Sequence, residues 1–144
     1  MNVRVIYHSV TGNTRKVADI IAGAVGCQAT SIDKYTGDAG PVDLLFLGAA
    51  VYATHDHGLH ASVKTFIDGL DPAKVRNVAL FSTGFIQSEA IAMMKRRLEA
   101  RGIAVAGQSC FCLGRFALFN LGHPNAADLA KARDFGGRMA AAKD

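Results

Sequence analysis

The sequence contains no tryptophan, only 3 prolines and only 3 cysteines. No apolar run approaches the roughly eighteen residues that a membrane-spanning helix needs. An odd number of cysteines without framework spacing argues against a disulfide-built secreted domain and suits a reducing compartment. The first residues lack the basic, apolar, small-residue order of a signal peptide, so a cytoplasmic protein is expected, with no membrane insertion. Few prolines, 19% charged residues and 50% hydrophobic residues exclude the composition of a disordered chain. At 144 residues the sequence is expected to form one domain, 1–144, around one core. Acidic residues are also scarce: 12 Asp and Glu face 16 Lys and Arg, giving +4, which weakly favours anionic partners. The basic residues are scattered, however. Their densest group, Lys95, Arg96, Arg97 and Arg101, reads as a solvated helix face, and no nucleic-acid partner is expected.

Short apolar runs alternate with longer segments that carry a helical stripe. Val3 to Tyr7 is β-branched and aromatic, Cys27 to Ile32 is weaker, and Val42 to Ala49 is almost uninterrupted; Val78 to Phe81 and Ile103 to Cys112 repeat the type. Runs that are apolar on both faces read as buried parallel strands, which predicts five of them. Between them, Val17, Ile20, Ile21 and Ala24 share one helical face, as do Leu59, Val63, Phe66, Ile67 and Leu70, and then Ile91, Met94 and Leu98. A last helix carries Leu129, Ala132, Phe135 and Met139. Its start is marked by Pro124 and Asn125, with Asp128 placed to complete a capping box and His123 just ahead. Asp33 to Pro41 is too short and too rich in glycine for more than a turn of helix. The alternation implies an α/β fold, a doubly wound parallel sheet with helices on both faces. Ligands of such sheets bind beyond the carboxyl ends of the strands, here after strands one, three and four.

The loop after the first strand carries the sharpest signal. Ser9, Val10, Thr11, Gly12, Asn13 and Thr14 leave a buried strand and enter a helix at once. Three hydroxyl donors, a glycine that allows close approach and the free N–H groups of a first helical turn make a phosphate cradle. Arg15 and Lys16 lie in that first turn, where a cation opposes the helix dipole unless an anion sits nearby. The lysine of a Walker A loop and the three glycines of a dinucleotide fingerprint are missing, so a monophosphate fits better than a nucleoside triphosphate or NAD.

At Val5, Ile6, Tyr7, Ser9, Gly12, Thr14, Ala18 and Ile21 the sequence resembles the flavodoxin family, and its length resembles the short-chain type. The resemblance implies a five-stranded sheet of order 2-1-3-4-5 and an FMN bound without covalent attachment. It implies that Ser9 to Thr14 hold the phosphate and that the loops after strands three and four hold the ring. Those loops offer Ala50, Val51, Tyr52 and Ala53, then Ser82, Thr83, Gly84 and Phe85. Tyr52 is the aromatic suited to stack on a flat ring; the plainer alternative is that it caps the core. The activity implied is electron transfer between redox partner proteins, by a monomer or weak homodimer with no catalytic residue and no resident metal of its own. The alternative within redox chemistry is a small FMN-dependent oxidoreductase acting on a quinone-like substrate beside the apolar segment Phe116, Leu118, Phe119 and Leu121. A non-enzymatic signalling module is disfavoured because Tyr7 and His8 stand where acidic residues would be needed.

Unlike better-known flavodoxins, which resemble one another in their acidic surfaces, this chain is basic and places His55, His57 and His60 after strand three. Imidazoles in place of carboxylates make negative charge on a flavin less costly, which predicts a less negative and more pH-dependent second reduction step. The same histidines resemble the metal motif of the metallo-β-lactamase fold, with Leu59 where an aspartate would stand. A polar loop with Leu59 facing the core is the plainer reading. Cys110 and Cys112, two apart on a strand, share a face and read as small core residues.

Overall fold

The structure is a computed structural model that describes residues 1–37, 40–51, 58–84, 89–115 and 120–142. Along the chain run β1 (Val3–Tyr7), α1 (Asn13–Val25), β2 (Ala29–Ser31), a 3-10 turn (Ile32–Lys34) and β3 (Leu44–Gly48). There follow α2 (Ala61–Asp68), β4 (Val78–Gly84), α3 (Ala90–Ala100), β5 (Val105–Leu113) and α4 (Ala126–Ala141). The strands pair in parallel in the order β2-β1-β3-β4-β5. Tyr7 lies opposite Gly48 and Gly48 opposite Phe81, so the carboxyl ends of the three central strands reach one edge of the sheet together.

Alternation within the strands divides the core into two layers. Val5, Phe46 and Phe81 face α1 and α4, where they meet Val17, Ile21 and Phe135. The rings of Phe46 and Phe135 pack edge to face with centroids 5.8 Å apart. Ile6, Leu45, Leu47 and Leu80 face α2 and α3, against Val63, Ile67, Met94 and Leu98. Each fully buried side chain of this size contributes about 1.5–3 kcal/mol, so the two layers bind the helices to both faces of the sheet. Where α4 crosses α1 the approach is close: a Cβ on Gly136 would stand 3.3 Å from Ile21 Cγ2. Ala18 and Ala22 are the buried alanines of α1, while Ala24, beside that crossing, is exposed, contrary to the stripe expected from sequence.

The strand limits differ from expectation: β2 shrinks to Ala29–Ser31 as Ile32 opens the 3-10 turn, β3 ends at Gly48 and β5 at Leu113, each one residue from the expected end, and three differences go further. β3 begins at Leu44, because Asp43 turns back to bond Asn2 and Val42 forms only an isolated bridge with Val75. Ile103 is not in β5; its N–H closes the end of α3 on Leu98 O. Most consequentially, β4 does not stop at Phe81. Ser82, Thr83 and Gly84 continue it, since β5 runs beside them with Thr83 opposite Cys112 and Gly84 opposite Leu113. The final helix starts as its sequence predicts: Asn125 Oδ1 accepts from Asp128 N at 2.9 Å, and Asp128 Oδ2 accepts from Asn125 N at 2.8 Å. Cys110 and Cys112 are buried on one face with their sulfurs 3.9 Å apart. No helix among the described residues is long and apolar enough to cross a membrane.

Candidate functional site

The loop between β1 and α1 is built for an anion. Ser9 Oγ accepts from Gly12 N at 3.0 Å, which folds the chain into a tight turn. Gly12 then takes φ 93°, a left-handed conformation that side chains resist, and serves as the N-cap of α1. Among the described residues no side chain caps this helix, and no acidic residue lies in its first turn. The positive end of the dipole and its N–H groups are therefore left to whatever anion approaches.

The loop is fixed from the far side of the sheet. Asn13 Nδ2 donates to Thr11 Oγ1 at 3.2 Å and to Arg115 O at 3.0 Å, so both its amide hydrogens are committed. What Asn13 offers a ligand is its backbone N–H. Gly114 permits this approach, for a Cβ there would stand 2.9 Å from Asn13 Nδ2. Thr14 is buried and pairs with Thr83 through hydroxyl oxygens 2.8 Å apart. Each hydroxyl has one hydrogen. If Thr83 donates, Thr14 keeps its own proton for the cradle.

Beside the loop lies a cleft of about 520 Å³ lined by Thr11, Asn13, Lys16, Arg115, His123 and Pro124, among others. Two cationic side chains thus border the cradle. His123 Nδ1 lies 2.6 Å from Asp128 Oδ2, which joins this cleft to the capping box of α4. A larger cleft, about 870 Å³, opens at the opposite edge of the sheet around Asp43, Arg76 and Met139. It lies at the amino ends of the strands, away from the N–H cradle, and the chemistry favours the smaller one.

The second wall of the site starts at Ala49 and Ala50, both buried, and Val51, which forms an antiparallel bridge with Leu59. That bridge brings together the two ends of the segment carrying Tyr52, Ala53, His55 and His57, all four of which lie outside the described residues. Leu59 is buried, as expected. Ser82, Thr83 and Gly84 form the end of β4 rather than a loop, and Phe85 lies outside the described residues. So do Phe116, Leu118 and Phe119, whereas Leu121 is exposed. Among the described residues no group of three or more histidine, cysteine or acidic side chains could hold a metal ion.

His60 caps α2: its Nδ1 accepts from Ser62 N at 3.1 Å. Its ring stacks on that of His8, with centroids 4.3 Å apart. His8 is buried, and burial followed by the neighbouring His60 pulls its pKa below the usual histidine value, against a smaller upward pull from Asp33. Sequence reading placed His8 beside the cradle but not against His60. It passed over Gly114 and Arg115, which follow a strand predicted to end at Cys112 and reach the site only through the β5 pairing.

A family model described as a flavodoxin domain matches residues 4–118. An uncharacterised protein of Methanocaldococcus jannaschii is 29% identical over 147 residues, covering 94% of this chain and 95% of that protein. A flavodoxin from the domain Archaea superposes with a TM-score of 0.77 at 19% identity, over 97% of this chain and 96% of the other. Oxidised flavodoxin 1 from Bacillus cereus gives a TM-score of 0.75 at 21% identity, with both chains covered fully (100% and 100%). With the family model spanning the sheet, the cradle and the second wall, the chain belongs to the flavodoxin-domain family, flavoproteins of electron transfer.

Proposed function

We propose that this chain binds one FMN without covalent attachment and carries electrons between redox partner proteins, as a single cytoplasmic domain and as a monomer or weak homodimer. The observation that carries the reading is the start of α1: a helix N-terminus with neither side-chain cap nor carboxylate, turned by Gly12 toward the carboxyl edge of the sheet. Such an end stabilises a phosphate through N–H donors and the helix dipole. The fit extends to the hydroxyls of Ser9 and Thr11, the backbone N–H groups of Asn13 and Thr14, and the charges of Lys16 and Arg115 at the rim, with the Gly12 N–H spent on holding Ser9 Oγ in the turn. One such cradle, without a dinucleotide fingerprint, favours the mononucleotide over larger flavins.

A bound flavin supplies the one- or two-electron chemistry. The chain's residues bind and orient it. Thr83 supports Thr14 from β4, so the phosphate end is tied to the strand that also ends at the ring side of the site. Ala50, Val51 and Gly84 would offer backbone groups to the ring edge, Ser82 would support the strand end from a buried position, and Tyr52, Ala53 and Phe85 would complete the walls. The quinone-acting alternative rests on Phe116, Leu118, Phe119 and Leu121; of these only Leu121 is among the described residues, and it is exposed and outside the lining of the cleft beside the cradle.

The test is direct. The purified protein, or the protein mixed with FMN, is expected to show bands near ~375 and ~450 nm and to release FMN on acid extraction. A colourless protein that does not take up FMN overturns the assignment; release of FAD corrects the cofactor while leaving the fold.

A further inference from the structure

His8 presents an anomaly. It is 7% exposed, its Nδ1 is buried, and among the described residues that nitrogen has no hydrogen-bond partner. An orphaned buried polar atom is uncommon in a native fold and calls for a physical explanation. Its neighbours supply one. The backbone of His8 donates to Gly48 O at 3.0 Å, which fixes it at the junction of β1 and β3, one residue before the cradle. Its ring lies 4.3 Å from that of His60, with 21° between planes.

His60 is held in turn. Because Ser62 N donates to its Nδ1, that nitrogen carries no hydrogen while it caps α2. The capped ring is therefore the neutral tautomer with its hydrogen on Nε2. The two residues before it, Gly58 and Leu59, leave the bridge to Val51 that closes the base of the second wall.

We propose that His8 and His60 form a proton-sensitive clamp: while the His8 imidazole is neutral its ring, stacked on that of His60, holds the start of α2 against the end of β1, and protonation of His8 releases that contact. A proton on His8 puts a charge into a site with little water and against its stacked neighbour. Among the described residues Asp33, on the turn after β2, is the acid that pulls the other way, and it is outweighed by burial and His60. Only the consequence for the cofactor rests on the flavin reading: acidification would loosen the wall that starts at Val51 and Leu59.

The sign follows from linkage. A histidine whose folded pKa lies below its unfolded value leaves the unfolded chain holding more protons. The stability it contributes is present above the unfolded pKa and is lost as pH falls toward the folded one. Within that window the unfolding constant rises about tenfold per pH unit for each such imidazole.

The test uses flavin-free protein: imidazole NMR titrations and urea unfolding between about pH 7.5 and about pH 5.5, the range of a histidine switch. The variants are H60N, which keeps a cap acceptor but cannot titrate, and H8F, which keeps a buried ring. The His8 resonance is expected to titrate below the ordinary histidine range and to move up in H60N. The urea midpoint of the wild type is expected to fall more on acidification than that of H8F. Titration of His8 at or above the ordinary range, unmoved by H60N, overturns the clamp, as does a parallel loss of stability in wild type and H8F. Should H8F not fold, the His8 resonance is assigned through its backbone and the H60N comparison decides. Because no flavin is present, failure here leaves the flavin reading standing, and failure to bind FMN leaves the clamp standing.

Discussion

Replacing Thr83 by valine tests how the cradle is tied to the sheet. Thr14 and Thr83 are 1% and 3% exposed and their oxygens lie 2.8 Å apart, so each hydroxyl has the other in place of water. Valine matches threonine in shape, and T83V removes one partner without opening a cavity. The remaining Thr14 hydroxyl is then buried and unpaired, at a cost of about 1–3 kcal/mol. With a urea slope of about 2 kcal/mol/M, the midpoint falls by about 0.5–1.5 M. T14V leaves the Thr83 hydroxyl unpaired at the same cost, whereas in T14V/T83V both polar groups are gone and the loss shrinks toward zero, so the coupling between the two sites is about 2–6 kcal/mol. Equilibrium urea unfolding without flavin measures all three variants, since a bound ligand would add its own stabilisation. A double variant that loses as much as the sum of the single ones would falsify the claim that the pair is a mutually satisfied buried bond.

Gly48→Ala places a Cβ 2.0 Å from Cε2 of the buried Phe81 ring, which has no room to move aside. An overpacking loss of about 1–3 kcal/mol is expected, and an unchanged denaturation midpoint would refute it. Asn125→Ala removes one half of the capping box at α4 and is expected to destabilise by about 1 kcal/mol, read by thermal unfolding; a change confined to noise would mean the box contributes nothing. Thiol labelling at neutral pH should reach only Cys27, and that slowly, because burial raises its pKa. Cys112 is pushed up by its bond to Cys110, which is drawn down, yet both lie in the core and should react only after unfolding. Labelling of all three in the native protein would contradict that packing.

Much of this protein was legible locally. Short, nearly unbroken apolar runs located all five strands, because a strand buried in a doubly covered sheet must be apolar on both faces. The stripes located α1 to α4, and Pro124, Asn125 and Asp128 marked the start of α4 because a capping box closes within four residues. The run from Ser9 to Thr14 announced an anion cradle for the same reason: its turn, its glycine and its helix start are neighbours along the chain.

What lay beyond reach depended on residues distant in sequence. Ser82 to Gly84 read as a loop because they are polar, and only β5 alongside makes them strand. The close crossing of α4 over α1 at Gly136 is likewise a contact that no helical stripe encodes, and Ala24 beside it stays exposed. Asn13 reached Arg115 across 102 positions and Thr14 reached Thr83 across 69, and those bonds decide which hydrogens remain for a ligand. His8 and His60 each carry a legible chemistry, an imidazole beside a cradle and a helix cap. Their stacking exists only because the β1–β3 pairing and the packing of α2 bring two ends of the sheet edge together. Sequence by itself determined the elements and the kind of anion site, since those follow from backbone periodicity and local hydrogen bonding. Tertiary structure alone decided which polar groups satisfy one another, because burial removes water as the alternative partner and leaves only what the fold brings near.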